Sequence, residues 1–210
     1  MKIIKRIAVA LVVTTTLATG IAILVLRRQQ AKARSMIADL QSLQVGSVDS
    51  LRIREFLESN DFRSARSSNP PTDMNGVYET VIDNSVLARL HLAPWTRLGV
   101  LMKIEGRALS YLTVDYYTSC RGDMTSGVRV TEVPASPEIP PYQVWVYPDG
   151  GKPPNIRISI TSSADPQERS RAFGLDIRCL SRIGGCSGAS DLLPSAGKSG
   201  LGCETKVAGQ

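Results

Sequence analysis

The chain has 210 residues and a formal net charge of +6 from 25 basic and 19 acidic side chains, with one histidine and four cysteines. Five of the basic residues and none of the acidic ones fall in residues 1–28, which leaves 20 basic against 19 acidic in residues 29–210. The high pI therefore belongs to the N-terminal segment, and the near-neutral remainder argues against a nucleic-acid partner, since binding phosphates needs a basic surface.

Ile7 to Leu26 is a run of twenty residues without a charged side chain, bracketed by Lys2, Lys5 and Arg6 before it and Arg27 and Arg28 after it. As a helix it would rise roughly 30 Å, the thickness of a bilayer's hydrocarbon core. Its lipid partner is thus the bilayer, through residues 7–26. A cleaved signal would need a shorter apolar core and a small-x-small site. Ala18-Thr19-Gly20 fits that site loosely, but the apolar run continues past it to two arginines, so an uncleaved signal-anchor is expected. Basic residues flank both ends, so the positive-inside rule nearly cancels. The very short N-tail and the cysteines favour a cytoplasmic N-terminus and an extracytoplasmic domain, in an inner membrane. Thr14, Ala18 and Ala22 are spaced by four. They offer a small-residue seam for self-association through the membrane helix, although such residues are frequent in any membrane helix.

Gln29 to Gln44 extends the helical pattern as a stalk, with Met36, Ile37, Leu40 and Leu43 at helical spacing. Gly46 ends it. Ser47 or Asp49 can cap a second helix, Ser50 to Ser59, with Leu51, Ile53, Phe56 and Leu57 apolar. Its charged residues (Arg54 with Glu58, Arg52 with Glu55) are spaced as solvated helix pairs. Asn60 to Gly76 reads as a loop and Val77 to Ile82 as a strand. Asn84 to Leu90 suits either a helical turn or a strand. Leu98, Val100, Met102 and Ile104 alternate, Glu105-Gly106 supplies a turn, and Leu112, Val114 and Tyr116 alternate on the return. Further strands are expected at Val128–Val133, Tyr142–Tyr147 and Ile156–Thr161. Four prolines fill the first link between them, and Asp149-Gly150-Gly151 turns the second. A last helix starts at Asp165 as N-cap, with Pro166 first and Glu168 reaching back. It buries Phe173, Ile177 and Leu180 and ends at Gly184-Gly185.

The expected fold is α+β: an antiparallel sheet of about five to six strands covered by N- and C-terminal helices and preceded by a single transmembrane helix. The expected division is a cytoplasmic tail over 1–6, the membrane helix over 7–26, the stalk over 27–45, the α+β domain over 46–186 and a flexible Ser/Gly-rich tail over 187–210.

The motifs favour structure over chemistry. Cys179 and Cys186 can meet if Gly184-Gly185 reverses the chain, and Cys120 and Cys203 are candidates for a second pair. Four cysteines allow three full pairings, and spacing does not choose among them. No Cys-x-x-Cys pattern accompanies them, so neither a metal nor another cofactor is expected. His91 has no acidic residue close in sequence and reads as structural. Ala196-Gly197-Lys198-Ser199 lacks the first glycine, strand and helix of a phosphate loop. Gly185-Cys186-Ser187-Gly188-Ala189 lacks the last glycine of a nucleophile elbow. Arg121-Gly122-Asp123 spells an adhesion tripeptide too short to carry weight. Were the chain an anchored hydrolase, Asp115, Asp123 and His91 would be its candidates; no catalytic residue is assigned.

The segment Cys179-Leu180-Ser181-Arg182-Ile183-Gly184-Gly185-Cys186 with Asp191-Leu192-Leu193-Pro194, and Leu90-His91-Leu92-Ala93-Pro94 before it, resembles bacterial proteins with one N-terminal membrane helix and an α+β domain of no known activity. That resemblance implies an anchored architecture and transfers no functional residue. A helix leading through a stalk into a sheet also resembles pilins and pseudopilins. Their leader glycine and the glutamate inside the apolar run are missing here, where Arg6 and Leu11 stand. The functional expectation is a non-enzymatic binding or assembly module of the bacterial envelope with a protein partner.

Overall fold

The computed structural model describes residues 2–47, 49–64, 75–120, 125–147 and 155–196. Helix α1 runs unbroken over Lys2–Ser42, followed by α2 (Ser50–Ser59), β1 (Arg63–Ser64), β2 (Gly76–Asp83), α3 (Ser85–Arg89), β3 (Thr96–Glu105) and β4 (Ala108–Ser119). Next come β5 (Thr125–Val133), β6 (Tyr142–Val146), β7 (Ile156–Thr161), α4 (Pro166–Ala172), a 3₁₀ turn (Ile177–Leu180), α5 (Ala189–Leu192) and a second 3₁₀ turn (Pro194–Ala196).

The strands form one seven-stranded sheet in the order β1-β2-β3-β4-β5-β7-β6. The α+β class holds, but two details of the expectation are corrected. The sheet has a seventh strand, because β1 falls in the segment read as loop and pairs antiparallel with β2 over only two residues. It is also not wholly antiparallel, since β5 and β7 pair in parallel. Short turns bring consecutive strands together antiparallel, but the proline-bearing link over 134–141 carries the chain past a strand position. β6 lands at the outer edge, and β7 returns between it and β5.

Alternation gives the sheet two unlike faces. Leu98, Val100, Met102, Leu112, Val114, Tyr116, Val128, Val130, Ile156, Ile158 and Ile160 point to the side covered by helices and are all buried. The far half of α1 supplies much of the cover. Ala33, Met36, Ile37, Leu40 and Leu43 belong to the same core as the sheet. The segment expected to be a stalk is therefore a structural element of the domain. Its apolar stripe requires a partner surface, and the sheet provides one. The near half presents Leu11, Val12, Leu17, Ile21 and Leu24 outward. There Thr15, Thr16 and Thr19 return their hydroxyls to main-chain carbonyls one turn back, each at 2.8 Å.

A buried ion pair closes the end of α1. Arg169 donates to Glu132 Oε1 at 2.6 Å, to Gln41 O at 2.8 Å, to Leu40 O at 3.0 Å and to Leu43 O. The Val45 N–H donates to the same Glu132 oxygen at 3.0 Å. A guanidinium thus bonds carbonyls at the helix end, where the Leu40 O also accepts from the Leu43 N–H at 3.2 Å.

Other expectations meet the chain as follows. The capping box at the start of α4 is present, with Asp165 accepting from the Glu168 N–H and Glu168 accepting from the Asp165 N–H. The helix expected to run to Gly184-Gly185 instead ends at Ala172. The chain breaks around Gly174 and resumes as a 3₁₀ turn, and this brings Phe173, Leu175, Ile177 and Leu180 all into the core. Asn84–Leu90 resolves as the short helix α3, and Asn84 bonds Pro94 O and the Thr96 N–H across the following loop. Part of the tail expected to be flexible is corrected: Ala189, Leu192 and Leu193 are buried, and the Ala189 N–H donates to Ser126 Oγ at 2.9 Å. Apolar side chains three and four apart gave that segment a face to bury.

Candidate binding face

Among the described residues no helix covers the opposite side of the sheet over its central strands, and that side carries a cluster of polar and charged side chains. Register sets it out in rows. Val81, Gly99, Asp115, Arg129, Arg157 and Trp145 lie opposite one another across β2, β3, β4, β5, β7 and β6. Asp83, Arg97, Tyr117 and Gly127 make the adjoining row on one side. Glu79, Leu101, Thr113 and Thr131 make the row on the other. The rows surround an open depression of about 440 Å³ lined by Glu79, Trp95, Arg97, Gly99, Asp115 and Tyr117, among others.

Two glycines shape it. Gly99 leaves the floor open, since a Cβ there would approach nothing nearer than Asp115 O at 4.0 Å. A Cβ on Gly127 would collide with the Tyr117 ring, so that strand position must be glycine for the ring to lie where it does.

The charges that line the depression are paired, while Asp83, which accepts from the Ser85 N–H, and Arg157, which lies over the Tyr147 ring, have no ion pair among the described residues. Arg97 Nη2 meets Glu79 Oε1 at 3.1 Å. Arg129 grips Asp115 with two bonds, Nε to Oδ1 at 2.5 Å and Nη2 to Oδ2 at 3.0 Å. The Tyr117 hydroxyl donates to Asp115 Oδ1 at 3.1 Å and accepts from Arg129 Nη2 at 3.2 Å. Partial burial and the Asp115 charge push the Tyr117 phenol up to about 12. The hydrogen bond to Asp115 raises Arg129 further above its usual range. Tyr117 therefore stays protonated at neutral pH, and Glu79 and Asp115 are each engaged by a guanidinium group. The arrangement can bind through aromatic, apolar and paired polar groups, and the Asp115 carboxylate beside the Tyr117 hydroxyl is held by Arg129.

Of the candidates read from sequence that fall among the described residues, Asp115 lies on this face and His91 does not. His91 sits exposed in the turn after α3 with φ 55°, its N–H bonded to Ala88 O at 3.1 Å, and it does not line the depression. Asp123, the Arg121-Gly122-Asp123 tripeptide and Cys203 lie outside the described residues, as do residues 197–199 of the phosphate-loop look-alike. Cys179 and Cys186 form a disulfide with Cα atoms 5.5 Å apart, across the Gly184-Gly185 reversal where both glycines take positive φ. Cys120 is also disulfide-bonded. Ser187 of the elbow look-alike donates to the Asp191 carboxylate at 2.7 Å, and its neighbour Cys186 is oxidised. Among the described residues, no cluster of three or more His, Cys, Asp or Glu could hold a metal.

Sequence reasoning missed Glu79, Trp95, Arg97, Tyr117 and Arg129. The available signal was the polar half of each alternating strand, but which polar residues meet depends on register across four strands, β2 to β5. No protein-family model, curated protein or solved structure matches the chain.

Proposed function

We propose that the protein is a single-pass, membrane-anchored, non-enzymatic binding or assembly module of the bacterial envelope, with its N-terminus cytoplasmic and its sheet domain outside. One observation carries the binding part of this reading: the bare sheet face offers a depression whose charged groups are already neutralised in pairs. Paired charges cost less to desolvate against a partner protein than unpaired ones would, whereas proton transfer needs an unpaired acid or base. The anchor reading is supported by α1, whose stretch from Leu11 onward is long and apolar enough to cross a membrane. The oxidised Cys179–Cys186 pair suits an extracytoplasmic compartment.

Site-specific photo-cross-linking in intact cells tests the binding face. A photoreactive residue at Leu101, inside the depression, is expected to give a discrete adduct that Arg97→Glu weakens. The same residue at Leu51, exposed on α2, is expected to give none. Equal adducts from both positions, or none from Leu101, would remove the face from the proposal.

A further inference from the structure

The two edges of the sheet are built differently. β1 is two residues long and offers almost no ladder. β6 runs over Tyr142–Val146 with β7 on one side only. The Tyr147 N–H donates to Asn155 O at 2.7 Å, and the Thr161 N–H donates to Pro141 O at 2.9 Å. These bonds fix the phase of the strand. Residues 141, 143, 145 and 147 turn their backbone groups toward β7, so Tyr142, Val144 and Val146 turn their N–H and C=O groups outward. No described residue pairs with that outer side. The strand carries no charge, proline or bulge, the devices that normally protect an edge. Its apolar side chains are exposed on both faces: Val144 at 40% and Val146 at 41% on one, Trp145 at 38% on the other.

We infer that the β6 edge accepts an extended segment of a partner polypeptide as an eighth strand. The three outward-facing residues call for another strand's backbone, because only a strand matches alternate N–H and C=O groups at this spacing. Exposed valines on one face and Trp145 on the other call for apolar residues in that segment. Arg157 adds a charge preference. Its guanidinium carbon lies 5.4 Å from the Tyr147 ring centroid, and among the described residues it has no ion pair. A carboxylate opposite Tyr147 would meet it.

A second copy of the chain fits less well, an argument that rests on the membrane-anchored reading. Antiparallel pairing of β6 with itself places a two-fold axis perpendicular to the sheet. α1 keeps one side in the core it shares with the sheet from Ala33 to Leu40, roughly 10 Å of helix, so its axis runs along the sheet. The two-fold would then send the two membrane segments in opposite directions, and one bilayer could not hold both.

The test uses the full chain in detergent, where the edge is read whether or not α1 spans a membrane. The probe is a fluorescent seven-residue peptide that alternates threonine with valine and has glutamate in place of one threonine. The unmodified peptide is expected to bind. N-methylation of one set of alternate amides is expected to weaken it by about tenfold or more, through loss of several hydrogen bonds, while methylation of the other set leaves binding intact. Replacing glutamate by lysine is expected to weaken it severalfold. On the protein, Val144→Pro removes only an outward N–H and is expected to match the effect of the sensitive methylated set. Absence of binding, or equal loss from both methylated sets, would overturn the inference. So would a dimer abolished by Val144→Pro, which would make a second copy the occupant. Membrane flotation of the same chain reads the anchor separately, so a failure at the edge is not confused with a failure of the anchor.

Discussion

One buried tyrosine, one half-buried tyrosine and one buried ion pair set how single residues respond to their surroundings. Tyr116 is held above its ordinary range by burial and then by the Asp176 charge, and its hydroxyl donates to Asp176 O at 2.9 Å. Tyr117 is pushed up to about 12. A folded-state pKa raised above the unfolded value favours the protonated form in the fold. The associated stability is therefore complete below roughly pH 10 and is lost as pH rises toward the folded values. Urea unfolding at a series of alkaline pH values is expected to show midpoints falling from about pH 10 upward. Tyr117→Phe is expected to flatten part of that slope, and an unchanged slope would count against its partly buried, hydrogen-bonded setting. Arg169 has a larger role. Removing it leaves Glu132 buried without its cation and α1 without its cap, so Arg169→Ala is expected to cost about 3–5 kcal/mol in denaturant unfolding. The paired change Glu132→Leu with Arg169→Met is expected to recover much of that loss, because it removes both charges together.

Among the elements, what could be read from sequence was what depends on neighbours along the chain. The stripe of Met36, Ile37, Leu40 and Leu43, the alternation through β3 and β4, and the Asp165–Glu168 capping box are local patterns, and the structure contains all three. β1 was not legible because two residues carry no period. The parallel β5–β7 pairing was not legible because it depends on how far the link over 134–141 travels. The break at Gly174 was hidden because Phe173, Ile177 and Leu180 fit a helical stripe, yet all are also buried across a kink. The binding face was the least legible feature. Arg129 and Asp115 are ordinary strand residues until register sets them side by side. The cysteine pair lay between these cases, since the two glycines signalled a reversal but not its partners. The Cys179–Cys186 bridge closes a loop of sequence separation 7. Replacing both cysteines by alanine is expected to lower stability by about 2.5 kcal/mol on the loop-entropy estimate, read from the unfolding midpoint of the otherwise unchanged chain. No change would mean that the packing of this segment already holds Gly184-Gly185 in place.

For the whole molecule, one helix serves two roles. Its first half presents an apolar surface to its surroundings, and its second half is a core element of the domain, capped by Arg169 and buried against the sheet. On the proposed reading this ties the domain closely to the bilayer, without a free stalk, while its bare face and β6 edge stay open to partners. Flotation of the full chain with membranes at high salt is the most direct test. Salt screens adsorption through the basic flanks but not insertion of an apolar helix. The protein is expected to rise with the membrane fraction at high salt as completely as at low salt. Recovery in the soluble fraction once salt is raised would contradict the anchored reading.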